Sequence, residues 1–153
     1  MLAIGDTAPD FTAPTNDAGS ITLSDLPPRS VVLYFYPKDD TPGCTKEAIA
    51  FTAMIADFEA ANCTVLGVSK DTVAKHDKFR AKHALDVVLV SDEATTICED
   101  YGVWVEKNMY GKKYMGIERA TYLIGPDGKV AQIWRKVKVP GHAEAVLEAV
   151  QGL

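Results

Sequence analysis

Cys44 lies at the junction between a predicted strand and a predicted helix. The apolar run 31–36 predicts a strand, and a helical pattern begins after Pro42. Proline is favoured at the first helical position, and Asp40 or Thr41 can cap the helix before it. Cys44 is therefore expected in the first helical turn, where unpaired backbone N–H groups and the helix dipole favour a reactive thiolate.

The position of Cys44 leaves two interpretations open, and the neighbouring residues help to choose between them. A cysteine at a helix start can be a nucleophile or a small buried apolar residue. Here a Pro-x-x-x-Thr-x-x-Cys pattern runs from Pro37 through Thr41 to Cys44, and Thr-x-Glu follows, ending at Glu47. This pattern closely resembles the peroxidatic motif of the peroxiredoxins. The flanking sequences Tyr-Pro-Lys-Asp and Thr-Pro-Gly-Cys-Thr resemble, more narrowly, the bacterioferritin comigratory protein branch, also called peroxiredoxin Q.

A second stretch, residues 116–124, resembles another motif of this family. In that motif an arginine precedes a strand that leads to Pro-Asp-Gly, and Arg119 occupies the arginine position. Its residue type alone would also fit an ordinary surface arginine. Shorter similarities extend the resemblance over nearly the whole chain, at 5–11, 101–104, 109–114 and 141–143.

The resemblance implies a role for each residue of the predicted site. Cys44 attacks the peroxide and becomes a sulfenic acid. Thr41 offers its hydroxyl to the thiolate and the substrate, and the Arg119 guanidinium stabilises both. Pro37 closes one wall against water, and the backbone N–H groups of Gly43 and Cys44 help to hold the peroxide oxygens. Glu47 matches an acidic or amide position of the family, although a first-turn carboxylate favoured by the helix dipole would explain it equally well.

The implied activity is that of a thiol-dependent peroxidase without a cofactor. Hydrogen peroxide and small organic hydroperoxides are the expected substrates, and a thioredoxin or glutaredoxin-type protein is the expected reductant. The resemblance also implies a monomer or at most a weak homodimer. A peroxide sensor with the same reactive cysteine is an alternative function.

The second half of such a cycle is where this sequence departs from the family. Many members resolve the sulfenic acid with a second cysteine at the position of Ile49 here, and others at that of Arg80. Cys63 and Cys98 remain as possible resolving residues, but both also fit small buried residues, and either would require local unfolding around Cys44. We therefore expect a single-cysteine cycle in which an external thiol reduces the sulfenic acid directly.

Other cysteine chemistries find less support in the sequence. A thiol–disulfide oxidoreductase of the same fold would show Cys-x-x-Cys, and Glu47 stands where the second cysteine would be. A Cys/His hydrolase is conceivable because three histidines are present, but no hydrolase signature surrounds Cys44. No metal is expected, because the histidines and cysteines lack paired ligand spacing. The histidines are His76, His83 and His142.

The order of predicted elements describes an α/β chain of one domain, residues 1–153. Strands at 31–36, 65–69 and 87–90 alternate with helices from Pro42 to about Asn62, at 72–83 and at 92–101. A small hairpin precedes them around 16–19, a long loop covers 104–117, and a hairpin of strands 119–124 and 129–134 precedes a helix at 140–150. Strands separated by helices indicate a parallel core, and the resemblance implies a thioredoxin-like fold with an N-terminal β-hairpin extension.

Composition limits the partners and the compartment. A net charge of −5 and a pI near 5.1 disfavour general binding to nucleic acid or to an anionic membrane. No apolar run approaches the length of a membrane span, and the N-terminal residues lack the features of a signal peptide. Three cysteines, an odd number, fit a reducing compartment, so we expect a cytoplasmic protein.

Overall fold

The computed structural model describes residues 1–153, with nine strands and five α-helices. The strands are β1 Thr12–Thr15, β2 Gly19–Thr22, β3 Ser30–Phe35, β4 Cys63–Ser69, β5 Val88–Ser91, β6 Trp104–Met109, β7 Lys112–Ile117, β8 Ala120–Ile124 and β9 Val130–Trp134. The helices are α1 Pro42–Ala53, α2 Ile55–Ala60, α3 Val73–His83, α4 Ile97–Asp100 and α5 His142–Gln151. None of the helices is long and apolar enough to cross a membrane.

Seven of the strands form one mixed sheet in the order β2-β1-β5-β4-β3-β8-β9. β3 pairs parallel with β4, and β4 pairs parallel with β5, because helices connect these strands as crossovers. The remaining pairs are antiparallel. The parallel core, the N-terminal hairpin and the C-terminal hairpin predicted from the sequence are confirmed.

Strand β3 is buried on both faces, which explains its unbroken apolar sequence. Alternate side chains enter two different hydrophobic clusters, one on each face of the sheet. Leu33 and Phe35 belong to the first cluster. Val32 and Tyr34 belong to the second, together with Cys44. The helix that carries Cys44 therefore packs on the Val32 and Tyr34 face.

Two predicted helices differ from those in the structure. The single helix expected from Pro42 to about Asn62 is wrong, because it breaks at Met54 into α1 and α2. Its end near Asn62 is confirmed, and that residue adopts the left-handed conformation with φ 56°. The helix expected at 92–101 is also wrong. Only α4 is helical, because the Asp92 carboxylate accepts from the N–H groups at its start and so holds the preceding residues in a turn.

The loop predicted at 104–117 is a β-hairpin. β6 and β7 pair antiparallel in a separate two-stranded sheet, and Tyr110 and Gly111 form the turn between them with φ values of 52° and 81°. Positive φ at both turn residues matches the twist of a two-residue hairpin. The sequence prediction failed here because most residues of both strands are at least partly exposed, so no alternation of buried apolar residues reveals them.

Candidate active site

The N-terminus of α1 places Cys44 at the end of the sheet where β3 stops. Thr41 is the N-cap with extended backbone angles, and Pro42 opens the helix as predicted. The Thr41 carbonyl accepts the first helical hydrogen bond, from the Thr45 N–H at 2.9 Å. The N–H groups of Gly43 and Cys44 precede that bond and have no intrahelical acceptor. The Cys44 side chain is buried, with 1% of the residue exposed.

Arg119 reaches the Cys44 sulfur from the segment between β7 and β8. Its Nη2 donates to Cys44 Sγ at 3.4 Å, and its Nη1 donates to Glu47 Oε1 at 2.7 Å. One planar guanidinium therefore binds two side chains of the first two turns of α1. The guanidinium thus brings a fixed positive charge within hydrogen-bonding distance of the sulfur. The sequence predicted that a strand begins at Arg119, but β8 begins one residue later, at Ala120.

Gly43 leaves room for this arginine. A β-carbon at that position would lie 3.1 Å from Arg119 Nη2, which is closer than an ordinary van der Waals contact. A larger residue would push the guanidinium away from the sulfur. Gly43 thus contributes to the site through its missing side chain.

Glu47 is buried beneath the site and is held by the arginine. Burial raises the pKa of Glu47 from 4.5 to about 7, although Arg119 opposes this shift. Burial also disfavours the charged form of Arg119, but the charges of Glu47 and Cys44 outweigh it and raise the pKa of Arg119. Glu47 Oε2 has no hydrogen-bond partner. The expectation of a first-turn carboxylate is wrong, because α1 begins at Pro42 and has no acidic residue in its first turn. Glu47 is instead a buried partner of Arg119.

Thr41 and Pro37 lie next to the site without contacting the sulfur through a hydrogen bond. The Thr41 hydroxyl donates to the Lys38 carbonyl at 2.8 Å and closes the loop before the helix. Pro37 is exposed and lines a cavity of about 350 Å³. The opposite wall of this cavity comes from the β6–β7 hairpin and includes Trp104, Tyr114 and Met115. The hairpin that the sequence did not predict thus forms part of the surroundings of the site.

The sequence and the fold of this chain match those of a known family. The AhpC/TSA family profile matches residues 4–133. The chain belongs to the AhpC/TSA family. It is 53% identical over 121 residues to peroxiredoxin Bcp of Xanthomonas campestris, covering 79% of this chain and 76% of that protein. It is 41% identical over 152 residues to peroxiredoxin Bcp of Bacillus subtilis, covering 99% and 97%.

Solved structures agree with the family assignment. The structure of the bacterioferritin comigratory protein of X. campestris, studied for its alkyl peroxide reduction, superposes with a TM-score of 0.90 at 44% identity. The match covers 99% of this chain and 97% of that one. These findings confirm the predicted thioredoxin-like peroxiredoxin fold and the Bcp/peroxiredoxin Q branch. The protein is a thiol-dependent peroxidase that acts on peroxide with a thiol reductant.

The other two cysteines of this peroxiredoxin are buried far from Cys44. Cys63 is paired with Ser30 at the start of β3, whereas Cys44 follows the end of that strand. Five residue steps separate the two ends, or roughly 17 Å along the strand. Cys98 belongs to the cluster on the opposite face of the sheet from Cys44. A disulfide requires Cα atoms within about 7 Å, so neither cysteine can reach Cys44 in this conformation.

Both of these thiols are also poor nucleophiles. Burial raises the pKa of Cys63 to about 12. Burial and the Asp92 carboxylate raise the pKa of Cys98 well above its ordinary value. All three cysteines are free thiols in the structure. Because thiolate is the reactive form, neither Cys63 nor Cys98 is chemically prepared to attack a sulfenic acid at neutral pH.

None of the three histidines forms a hydrogen bond to Cys44. His76 bonds to Asp39, His83 bonds to Asp40, and the His142 ring bonds to the Thr121 hydroxyl at 2.7 Å. The site therefore lacks the Cys–His pair that a hydrolase of the papain type would need. The structure also contains no group of three or more histidine, cysteine or acidic side chains placed to hold a metal ion.

Acidification is expected to destabilise the protein through His142. Burial lowers the pKa of His142 from 6.5 to about 4, and the charge of Arg119 acts in the same direction. Between these pH values the unfolded chain binds a proton that the folded chain does not, so the free energy of unfolding falls as the pH falls. Between neutral pH and pH 4, we expect the free energy of unfolding to fall by about 2 kcal/mol more in the wild type than in His142→Gln. This is less than the full pKa shift would give, because solvent near the ring screens the charge.

Urea unfolding of the wild type and His142→Gln at neutral pH and near pH 4 measures this difference. Glutamine retains a side chain that can bond to Thr121 but does not titrate. If the free energy of unfolding changed equally with pH in both proteins, the role assigned to His142 would be contradicted.

Proposed function

We propose that Cys44 is the peroxidatic cysteine and that Arg119 is its main electrostatic partner. The observation that carries this proposal is the 3.4 Å hydrogen bond from Arg119 Nη2 to Cys44 Sγ at the start of α1. A guanidinium bonds to the sulfur there, and the sulfur lies in the first helical turn beside N–H groups that have no intrahelical acceptor. Both features are typical of reactive cysteines. No other cysteine has a positive side chain hydrogen-bonded to its sulfur.

In the first step the Cys44 thiolate attacks the terminal oxygen of the peroxide. The O–O bond breaks, the sulfur gains one oxygen and becomes a sulfenic acid, and the departing oxygen takes a proton to leave as water or an alcohol. Negative charge moves from sulfur to the departing oxygen, and Arg119, which bonds to the sulfur, is proposed to stabilise both. The peroxide is reduced by two electrons and Cys44 is oxidised by two.

Substrate oxygens are proposed to bind at the N-terminus of α1. The N–H groups of Gly43 and Cys44 are donors without helical partners, so they can hold a peroxide oxygen. The Thr41 hydroxyl reaches the substrate when it turns away from the Lys38 carbonyl, which it contacts now. Pro37 carries no N–H and limits access of water from its side.

Hydrogen peroxide and small organic hydroperoxides are the proposed substrates. The cavity between Pro37 and the β6–β7 hairpin is proposed to receive the organic group, with Trp104 and Met115 in its wall; of the predicted site residues, Pro37 alone lines it. The X. campestris protein, which shares the fold and 44% of the sequence, is described through its reduction of alkyl peroxides. Both observations support a site that admits more than hydrogen peroxide.

In the second step an external thiol is proposed to reduce the sulfenic acid without a resolving cysteine. A thiolate of the reductant attacks Cys44 sulfur, water leaves, and a mixed disulfide forms. A second thiol of the reductant then attacks it, releases Cys44 and forms a disulfide within the reductant. The separation and the raised pKa of Cys63 and Cys98 support this one-cysteine cycle.

Intact-mass analysis after one equivalent of peroxide, with thiol trapping, tests both steps. We expect a gain of one oxygen at Cys44 and no disulfide. A loss of two hydrogens would show an intramolecular disulfide and contradict the one-cysteine cycle, and peptide mapping would identify Cys63 or Cys98 as the partner. An unchanged Cys44 would contradict its peroxidatic role.

Removing both remaining cysteines provides a kinetic test. The Cys63→Ser/Cys98→Ser double variant is expected to turn over within about twofold of the wild-type rate, since neither thiol takes part in the proposed cycle. Steady-state peroxide consumption with thioredoxin and its reductase measures this rate. Lost turnover with an unchanged oxidation rate of Cys44 would show that one of the two thiols resolves the sulfenic acid.

A thioredoxin or glutaredoxin-type protein is the proposed reductant, acting on a monomer or a weak homodimer. Such proteins carry the two thiols that the second step consumes. A cytoplasmic location is proposed because three free cysteines suit a reducing compartment. Turnover with each purified reductant, compared at equal concentration, tests the first of these proposals.

A further inference from the structure

A buried polar network joins the loop before Cys44 to helix α3. Asp39 lies in that loop, residues 37–41, and His76 lies on α3. His76 Nδ1 is 2.6 Å from Asp39 Oδ2, and the Tyr36 hydroxyl donates to Asp39 Oδ1 at 2.6 Å. His76 is fully buried, and 9% of Asp39 is exposed. These three residues have no contact with the sulfur among the hydrogen bonds of the site.

Both ring nitrogens of His76 have an oxygen partner. Nδ1 contacts Asp39, and Nε2 lies 3.1 Å from the Val90 carbonyl, which can only accept. The Tyr36 hydroxyl also lies 3.5 Å from Nδ1. Contacts of this kind are costly to separate in a buried site, because their polar atoms would lose their partners away from water.

Further contacts hold the same loop against the rest of the protein. The Asp39 backbone N–H donates to Asp71 Oδ2 at 2.8 Å. On the surface, the Asp40 carboxylate accepts from Lys82 Nζ at 2.7 Å and bonds to His83 Nε2 at 2.8 Å. Surface ion pairs contribute little to stability, so the buried contact between His76 and Asp39 holds the loop more strongly. We call this contact the tether.

Access to Cys44 depends on this loop. Cys44 is 1% exposed, so a protein thiol can reach the sulfenic acid only when the first turn of α1 opens. The loop leads directly into that turn, and its own Thr41 hydroxyl closes onto the Lys38 carbonyl. Whatever fixes Asp39 therefore also fixes the backbone N–H groups that are proposed to hold the peroxide.

We propose that His76 is a positioning residue that, through Asp39, holds the Cys44 turn in its closed conformation. This inference rests on the proposed peroxidatic role of Cys44. The closed turn favours attack on peroxide, and the same tether limits how often the turn opens to the reductant. His76 thus sets a balance between the two halves of the cycle.

Loss of the tether is expected to move the two half-reactions in opposite directions. In His76→Ala, the rate of Cys44 oxidation by peroxide should fall about tenfold, because the sulfur loses its fixed geometry. Alkylation of reduced Cys44 by N-ethylmaleimide should rise about tenfold, because the turn opens more often. A variant that merely lowers stability without opening this turn would not produce this opposed pair of changes.

Isosteric variants identify which contact matters. Asparagine at position 76 places an amide near Nδ1 and can still bond to Asp39, whereas glutamine places it near Nε2 and can bond only to the Val90 carbonyl. We expect His76→Asn to retain more of the wild-type behaviour than His76→Gln. Asp39→Asn can accept from Tyr36 and donate to a neutral His76, so it should stay within about twofold of wild type, unlike Asp39→Ala. Lys82→Ala is the matched surface control and should change neither rate.

Circular dichroism and thermal unfolding first establish that each variant is folded. Alkylation and amide hydrogen exchange at Gly43 and Cys44 then report the opening without any peroxide, so they test the tether even if Cys44 proves not to be peroxidatic. Faster exchange in His76→Ala and near-wild-type exchange in Asp39→Asn support the proposal. Unchanged alkylation in His76→Ala, or equal defects in Asp39→Asn and Asp39→Ala, would overturn it.

Discussion

Replacement of Cys44 by serine is expected to abolish peroxide reduction, with a residual rate at least about 10⁴-fold below wild type. A serine hydroxyl stays protonated at neutral pH even beside a guanidinium, and its oxygen cannot be oxidised as sulfur is. The substitution is nearly isosteric, and the new hydroxyl oxygen can still accept from Arg119. The loss should therefore occur without unfolding.

The rate of peroxide consumption in an excess of a small dithiol measures this effect. The dithiol replaces the protein reductant, so the rate does not depend on one. Cys63→Ser is the matched control, since it makes the same substitution at a buried position with 1% exposure, as at Cys44. The control should keep its activity. Substantial turnover by Cys44→Ser would exclude Cys44 as the nucleophile and leave the remaining cysteines to be tested.

Replacement of Arg119 is expected to lower the rate of Cys44 oxidation by about 10²- to 10³-fold. The guanidinium is the charged donor hydrogen-bonded to the sulfur. In the proposed reaction it also stabilises the charge that the departing oxygen gains. Arg119→Lys should recover little of this loss. An ammonium is a point charge that cannot bond to Cys44 and Glu47 together in the fixed geometry of the guanidinium.

Substitution of Arg119 alone also affects Glu47, which is bonded to it. Without the arginine, burial raises the pKa of Glu47 further, so its carboxyl takes up a proton at neutral pH and stays buried without its hydrogen-bond partner. The Arg119→Gln/Glu47→Gln double variant removes both charged groups and leaves two amides that can bond to each other. Single-turnover oxidation of Cys44, followed by intact mass, measures the chemical step in each variant.

The double variant decides between a chemical and a structural role for Arg119. If the arginine acts on the reaction, the double variant should be stable but as slow as Arg119→Gln. A double variant that oxidises at the wild-type rate would instead show that Arg119 acts only by balancing the charge of Glu47.

The central part of the site follows from local sequence. Strand β3 and the start of α1 could be predicted because their signals depend on neighbours in the chain. A run of residues buried on both faces predicts a strand within a parallel sheet, and Pro42 is preset for the first helical turn. The position of Cys44 at this junction is therefore fixed by a few consecutive residues. The motif resemblance added Thr41 and Arg119 as candidates but gave no geometry for them.

The surroundings of that cysteine depend on contacts distant in sequence. Arg119 is 75 residues from Cys44 and meets it only because β8 pairs with β3 in the sheet. The β6–β7 hairpin was missed because its strands are largely exposed and carry no burial pattern. Whether Glu47 faced solvent or the interior was likewise undetermined, since a carboxylate near the start of a helix fits both.

The contact between Asp39 and His76 is the clearest case of a feature that only the tertiary structure decided. Each residue alone reads as an ordinary polar side chain of a loop or a helix. Packing of α3 against the sheet buries His76, and burial forces every polar atom there to find a partner. Local sequence therefore determined where the candidate nucleophile lies, at the start of α1, and long-range packing determined the charge, the access and the positioning around it.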